Sequence, residues 1–405
     1  MMKPRLYIAI PAMDELNYLP STLSAIARQK TTYPFSVFIC INQPDDWWNN
    51  DQKRSICLNN QKLHEYLRNY DKFPIHILDR SSKGKGWQRK NYGVGWARKI
   101  LAEEICDIAA LEDIMIMLDA DTVFDEHYLE SIGDNFIYHK KYPVISVPYY
   151  HLLTGDETAD RAVLRYEIYL RNWLLNMMDI GSPYGFTALG SAIAIKIWAL
   201  QKIGGITPLR SGEDFYLLQK LRKMSLVNIW NRLPVYPAAR FSDRVAFGTG
   251  PAMAKGAGND WKSYPVYHHT LFKPISHTYQ KLDELFIKDI DNPFLRFLRE
   301  QFKDDKIWIP IRKNFKKFPL FLRAFHEKAD GLRIIQFIKQ EHAKSLYTDE
   351  FSLKENMGKW MGNDIPEFLN KDIMFENMTL EELSSVREIL WNLEKERRLL
   401  WMLHN

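Results

Sequence analysis

Ile114-Met115-Ile116-Met117-Leu118-Asp119-Ala120-Asp121 is a run of five apolar residues closed by two carboxylates one residue apart. An unbroken apolar run of this length reads as a strand buried on both faces, the kind found in parallel sheets. In an extended segment residues i and i+2 point the same way. At a strand-end turn, Asp119 and Asp121 can therefore approach one hard cation. Mg²⁺ or Mn²⁺ takes oxygen ligands and usually binds one or two carboxylates together with substrate phosphates. A plain polar turn is the competing reading, because aspartate is common in turns.

Outward from this run the chain alternates strands and helices. Residues 6–10 read as a short buried strand ending at Pro11, and Pro20 opens a helical run over 21–28 where proline is tolerated. Residues 35–41 form the next strand and end in the turn cluster Asn42-Gln43-Pro44-Asp45-Asp46. Residues 56–66 read as helix, 74–78 as strand, 84–97 as a glycine-containing loop entering a helix, 128–136 as helix and 144–149 as strand. This alternation predicts an α/β class, a Rossmann-like mainly parallel sheet flanked by helices. Ligands of such sheets bind beyond the carboxyl ends of the strands. The turns after Ile10, Ile41 and Leu118, all carrying carboxylates or amides, are the places to look. From Leu271 the period becomes helical, with a capping box formed by Thr379 and Glu382. The expected division is 1–269 for the α/β domain and 270–405 for a mostly helical C-terminal appendage.

Four further segments carry candidate chemistry. Gly84-Lys85-Gly86-Trp87-Gln88-Arg89-Lys90-Asn91-Tyr92-Gly93 combines glycines that let a backbone approach phosphates with Lys85 and Arg89 to hold them. A solvated basic loop is the alternative, and no Gly-Lys-Ser/Thr follows to make it a P-loop. In Ser211-Gly212-Glu213-Asp214-Phe215 a carboxylate could serve as a general base, or Ser211 and Asp214 could form a capping box. Asp14 and Glu15 could accept hydrogen bonds from a ribose or base, or serve as acidic residues at a helix start. Asn42 and Asp45 could read a base edge, or make an Asx turn.

Taken in order, these segments resemble the family 2 glycosyltransferases, whose fold is GT-A. The resemblance spans roughly residues 6–235 and rests on five segments. They are Ile10-Pro11-Ala12-Met13-Asp14-Glu15; Ile41 through Asp46; Gly86 through Lys90-Asn91 to Gly93; Asp119 with Asp121; and Gly204-Gly205 ahead of Glu213-Asp214. It implies a metal-dependent transfer of sugar from a nucleotide-sugar donor, UDP- or GDP-linked, to an acceptor hydroxyl of a saccharide or lipid-linked molecule. By the resemblance Asp121 is a metal ligand for Mn²⁺ or Mg²⁺, and Asp119 binds metal or donor ribose. Asp214 is the catalytic base of an inverting single displacement, and Glu213 positions the acceptor. Pro11, Asp14, Glu15, Asn42, Lys85, Arg89 and Asn91 fall on the donor side. Arg240 and Arg244 are candidates for the diphosphate or an anionic acceptor, with pairing to Asp243 the expected alternative. His268 and His269 could complete a metal site, although lone surface histidines are the expectation. Asn42 stands where many members carry aspartate, which counts against uracil reading and leaves guanine or another base open. A nucleotidyltransferase would carry a glycine-rich signature where Pro11-Ala12-Met13 stands. A non-catalytic nucleotide-sugar scaffold would not need to keep both the Asp119/Asp121 pair and Asp214.

Bulk properties narrow the classes. The 405 residues carry 46% apolar and 26% charged residues, as a globular chain does, and suffice for two domains. A formal charge of +5 is mild, and no zinc-finger, RRM-like or basic-zipper pattern calls for nucleic acid. Three cysteines cannot build a disulfide framework and fit a reducing compartment. No apolar stretch approaches the ~20 residues that span a bilayer. A cytoplasmic protein is expected, with peripheral contact at the inner membrane face as its extreme. Lys313-Asn314-Phe315-Lys316-Lys317-Phe318 is the segment for such contact, with anionic lipid as the partner. The expectation there is a solvated helix face with its rings in the core.

Overall fold

The computed structural model describes residues 3–88, 91–242, 248–370 and 374–404. Among the described residues there are eight strands: β1 (Leu6–Ala12), β2 (Phe35–Asn42), β3 (Ile75–Arg80), β4 (Ile114–Met117), β5 (Thr122–Phe124), β6 (Val144–Ser146), β7 (Ile193–Lys196) and β8 (Val235–Pro237). Six of them form one sheet in the order β3-β2-β1-β4-β7-β6, and β5 pairs with β8 separately. Within the large sheet β1 runs parallel to β2 and β4, and β2 runs parallel to β3. β7 is antiparallel to both β4 and β6, so it alone runs against the others. The expected α/β class, a mainly parallel sheet flanked by helices with a helical C-terminal region, is what the chain adopts.

Every residue of β1 and β4 is buried, as their unbroken apolar sequences require. β1 continues through Pro11 to Ala12 rather than stopping at the proline. Its register with β4 runs only from Leu6↔Ile114 to Ala9↔Met117, whereas that with β2 runs on to Ala12↔Ile41. Pro11 therefore lies where one side of the strand is no longer paired by a neighbour, and its missing N–H is tolerated. The chain passes from β1 outward to β2 and β3, then returns to lay β4 on the other side of β1. The carboxyl ends of β1 and β4 thus form the topological switch point, where open α/β sheets bind ligands.

The helices are α1 (Leu19–Ala27), α2 (Arg54–Arg68), α3 (Val94–Ile108), α4 (Tyr128–Tyr138), α5 (Glu157–Asp179), α6 (Ile197–Lys202) and α7 (Glu213–Met224). They are followed by α8 (Thr249–Ala257), α9 (Lys273–Gln280), α10 (Leu282–Ile287), α11 (Pro293–Phe302), α12 (Trp308–Asn314), α13 (Phe318–Lys328), α14 (Gly331–Lys344), α15 (Asp349–Met361) and α16 (Leu380–His404). Two compact units result. Unit 1 comprises Met1–Ala159 and Ala188–Ala254 and holds both sheets. Unit 2 comprises Asp160–Thr187 and Lys255–His404 and is helical. A core cluster of unit 2 joins Leu164, Ile168 and Leu175 of α5 to Leu353 and Met357 of α15 and to Leu383, Val386 and Leu390 of α16. The capping box at Thr379 forms in both directions: Thr379 N–H donates to Glu382 Oε2 at 2.8 Å and Glu382 N–H to Thr379 Oγ1 at 3.1 Å. Among the described residues no helix is long and apolar enough to cross a membrane.

Candidate active site

β4 ends at Met117, and the chain then turns through Asp119-Ala120-Asp121 into β5. Backbone hydrogen bonds fix this turn: Leu118 N–H to Ala9 O at 3.1 Å, Thr122 N–H to Asp119 O at 3.3 Å and Ala238 N–H to Asp121 O at 3.1 Å. The buried Thr22 hydroxyl of α1 donates to Ala120 O at 2.9 Å. The two carboxylates therefore stand at the switch point on a restrained backbone.

Each carboxylate meets an arginine. Arg98, on α3 and only 4% exposed, donates to Asp119 Oδ1 at 2.5 Å and to Glu213 Oε1 at the start of α7. One guanidinium thus bridges the strand-end turn and the helix start. Burial alone would lower the Arg98 pKa, but Asp119 and Glu213 outweigh it and push it above its usual value. Room for the guanidinium comes from Gly190, where a Cβ would stand 2.0–2.4 Å from the Arg98 guanidinium atoms. Arg240 serves the second carboxylate. Its Nε donates to Asp121 Oδ2 at 2.7 Å, its Nη2 donates to Glu15 Oε1 at 2.6 Å, and its guanidinium carbon lies 4.0 Å from the centre of the Tyr18 ring. The partners of Arg240 are therefore Asp121 and Glu15. Arg244 and Asp243 lie outside the described residues.

The start of α7 decides between two readings of Ser211 to Asp214. Gly212, in the left-handed region at φ 76°, is the N-cap, and no side chain caps the helix. Glycine is suited to that conformation, and the capping box between Ser211 and Asp214 is not formed. Glu213 is buried and held by Arg98. Asp214 is part-buried and accepts from its neighbour Phe215 N–H at 2.7 Å. Burial and the nearby Glu213 carboxylate raise its pKa to about 7, against the opposing pull of Arg98. Among the described residues the site therefore gathers five carboxylates (Glu15, Asp119, Asp121, Glu213 and Asp214) with two arginines, more acidic than basic side chains.

That excess suits a divalent cation. Asp119 keeps 38% of its side-chain surface open, and its Oδ1 alone is engaged by Arg98. Among the described residues no three His, Cys, Asp or Glu side chains converge as a ready metal cage. A cation at Asp119 and Asp121 would complete its shell with water and substrate phosphate, as Mg²⁺ usually does. His268 and His269 belong to unit 2. His268 is nearly buried, its Nδ1 lies 2.7 Å from Thr270 Oγ1, and its ring stacks on Tyr347; burial lowers its pKa to about 4. His269 Nδ1 lies 3.1 Å from Asn356 Oδ1. Neither is the lone surface histidine expected from sequence.

The remaining candidates are spread along the carboxyl ends of β1, β2 and β3. Pro11 is within β1. Asp14 adopts φ 62°, a conformation aspartate tolerates, and its N–H donates to Asn60 Oδ1 at 2.8 Å. Glu15 is buried, and its carbonyl accepts the Tyr18 and Leu19 N–H groups that start α1. Asn42 is buried and engaged on both sides of its amide: it donates to Ala12 O at 3.0 Å and accepts from Trp87 Nε1 at 3.2 Å. Asp45 Oδ1 accepts the Gly84 and Gly86 N–H groups at 2.7 and 3.3 Å, so it anchors the glycine loop. Lys85 reaches Asp79 at 3.2 Å. Burial would raise the Asp79 pKa, but hydrogen bonds from Ser82, Ser81 and Lys85 prevail and hold it well below the usual range. Asn91 is exposed, with its N–H on Gln88 O at 2.9 Å. Arg89 lies outside the described residues.

Arg98 is the residue of this candidate site that the sequence reading did not single out. It carried a legible signal, because it occupies the same helix face as the buried Leu101, Ala102 and Ile105. A charge on an apolar face demands a buried partner.

Neither a protein-family model nor a curated protein matches this chain. Among solved structures, the chain is similar to S. aureus TarS 1–349 in complex with UDP-GlcNAc, at 11% identity and a TM-score of 0.41, over 99% of this chain and 92% of that one. Against a longer TarS chain the match covers 64% of this chain and 44% of that one, at 14% identity and a TM-score of 0.38. It is also similar to mannosyltransferase PcManGT from Pyrobaculum calidifontis in complex with GDP-Man and Mn²⁺, at 13% identity and a TM-score of 0.36, over 98% of this chain and 88% of that one.

Proposed function

We propose that the chain transfers a glycosyl group from a UDP- or GDP-linked sugar to a hydroxyl of a saccharide or lipid-linked acceptor, inverting the anomeric carbon in a single displacement. The observation that carries the reading is the Arg98 bridge, which ties Glu213, the first residue of α7 and the neighbour of Asp214, to Asp119 at the switch point. A raised carboxyl pKa of about 7 suits Asp214 to take a proton near neutrality. As the acceptor oxygen bonds to the anomeric carbon, its proton passes to Asp214, and the bond from that carbon to the diphosphate oxygen breaks with its electrons going to the diphosphate. Glu213, immobilised by Arg98, orients the acceptor. Mn²⁺ or Mg²⁺ bound at Asp119 and Asp121 would neutralise charge on the departing diphosphate. Arg98 and Arg240 hold those two carboxylates in place. Pro11, Asp14, Glu15, Asn42, Lys85, Arg89 and Asn91 are assigned to the nucleotide side on their order in the sequence.

The test is donor hydrolysis and transfer with Mn²⁺ over a panel of UDP- and GDP-sugars, for wild type and Asp121→Ala. Wild type is expected to turn over at least one donor, and the variant to lose about a hundredfold or more, the scale of losing one charge-stabilising group. Equal rates in the two proteins would sink the assignment. A product that keeps the donor's anomeric configuration would remove Asp214 from the base role.

A further inference from the structure

Phe315 and Phe318 are each 37% exposed at the joint between α12 and α13, in unit 2. The rings expected in the core are therefore at the surface. Around them Leu320 is 48% exposed and Ile309 44%. The adjoining α10 packs against both helices, its Phe286 ring stands 5.7 Å from that of Phe318, and the next residue, Ile287, is 80% exposed. Isolated exposed apolar residues need no explanation, but a cluster set among one sign of charge marks an interaction surface.

Within the span of α12 and the start of α13 the charge is of one sign. Between Asp305 and Glu327 there is no acidic residue, while Lys306, Arg312, Lys313, Lys316, Lys317 and Arg323 are basic. Arg312 is paired with Asp289 at 2.8 Å and Arg323 with Glu327 at 3.2 Å. Lys313, Lys316 and Lys317 are exposed and make no ion pair among the described residues. They interleave with the two phenylalanines in sequence. Proline at the second position of α13 helps to keep the joint from becoming one continuous helix, and residues 313–320, which carry both rings and all three lysines, are exposed throughout.

We infer that the α12–α13 joint is a docking surface for a bilayer bearing anionic lipid. The three unpaired lysines meet the headgroup charge, and Phe315, Phe318, Leu320 and Ile309 enter the boundary between headgroups and acyl chains. An anionic bilayer matches both halves of this surface, whereas a neutral protein face would leave the lysines without partners. The inference stands on unit 2 alone and does not depend on the transfer reaction proposed for unit 1.

Vesicle sedimentation without nucleotide or acceptor tests it, comparing phosphatidylcholine with an equal mixture of phosphatidylcholine and phosphatidylglycerol. Wild type is expected to bind the mixed vesicles, to bind neutral ones far less, and to be released by salt. A Lys313→Glu, Lys316→Glu, Lys317→Glu variant is expected to lose about a hundredfold in partitioning, at about fivefold per lysine. A Phe315→Ser, Leu320→Ser variant is expected to bind more weakly while retaining its salt sensitivity. The three lysines are exposed, so circular dichroism and thermal unfolding of the lysine variant should be unchanged, and an unchanged circular dichroism spectrum of the Phe315→Ser, Leu320→Ser variant excludes misfolding as the cause there. Equal binding to both vesicle types, no binding to either, or full binding by the lysine variant would overturn the inference. So would a single-stranded oligonucleotide that binds with the same lysine dependence while vesicles do not.

Discussion

Asp214 sits where two demands oppose each other. Its carboxyl is raised to about 7 by burial and by the Glu213 charge beside it. An unfolded aspartate ionises near ~3.9. Between those values the folded chain holds a proton that the unfolded chain has released, so this group's contribution to stability falls as pH rises from about 4 to about 7. Asp214→Asn removes the penalty. The variant is expected to be more stable than wild type near pH 8, by about 1 kcal/mol or more, with the gap closing below about pH 4; urea unfolding at both pH values measures it. In the same variant, transfer should fall by about 10²–10⁴ while donor binding survives. Wild-type turnover should climb as pH passes about 7, because the base must be ionised. A variant that loses activity and stability together would mean that the residue is structural. Arg98 gives the complementary prediction. Lysine carries charge but not the planar fork that serves two carboxylates at once, so Arg98→Lys is expected to lower kcat strongly. Arg98→Ala, which strands Glu213 in the interior, should cost about 3–5 kcal/mol in thermal or urea unfolding. Gly190→Ala should mimic the lysine variant by displacing the guanidinium, although it alters no charged group.

At the scale of elements, the strand-end turn and the start of α7 were legible because their patterns are local. An apolar run closed by Asp-x-Asp, and a Glu-Asp pair ahead of a helical period, need no partner to be recognised. What joins them was not legible. Arg98 lies 21 residues before Asp119 and 115 before Glu213, and no local pattern links such positions. The same holds for Arg240, which reaches Glu15 across 225 residues. Asn42 shows the reverse case, a turn amide whose local sequence permits base reading but whose amide is engaged by Ala12 and Trp87. The turn also carries its own prediction. Calorimetric titration with UDP and GDP is expected to show that Mn²⁺ tightens nucleotide binding in wild type and has little effect in Asp121→Ala. A cation among these carboxylates offsets the repulsion that raises Asp214, so the acid limb of the pH–rate profile should shift to lower pH as Mn²⁺ is added. Unchanged binding and turnover after chelation would instead assign neutralisation of the diphosphate to Arg98 and Arg240.

At the scale of the whole chain, the units are assembled from segments far apart in sequence, and a buried ionic chain shows how one of them is tied. In unit 2, Arg171 of α5 donates to Glu167 at 2.8 Å and to Glu394 of α16 at 2.6 Å, and Arg398 donates to Glu394 at 2.7 Å, all with fully buried side chains. From sequence, Glu167 and Arg171 look like an ordinary i,i+4 surface pair. Nothing local announces that 223 residues later a glutamate completes the arrangement. Charges of this kind are costly to bury and become costlier when one partner is removed. Arg171→Ala leaves Glu167 and Glu394 in a low-dielectric interior beside the apolar cluster of Leu164, Ile168 and Leu390, and should destabilise unit 2 by about 3–5 kcal/mol. Replacing Glu167, Arg171, Glu394 and Arg398 together with Leu, Met, Leu and Met removes two carboxylates and two guanidiniums, leaves Arg387 its pair with Glu388, and should recover much of the loss, because well-packed apolar residues of similar volume can equal a buried ion pair. Hydrogen exchange localises the effect: in Arg171→Ala the amides of α16 and of the α5 segment within unit 2 should lose protection, while those of β1 and β4 in unit 1 retain theirs. Equal loss in both units would mean that the chain unfolds as one cooperative body and that the ionic chain stabilises the whole rather than unit 2.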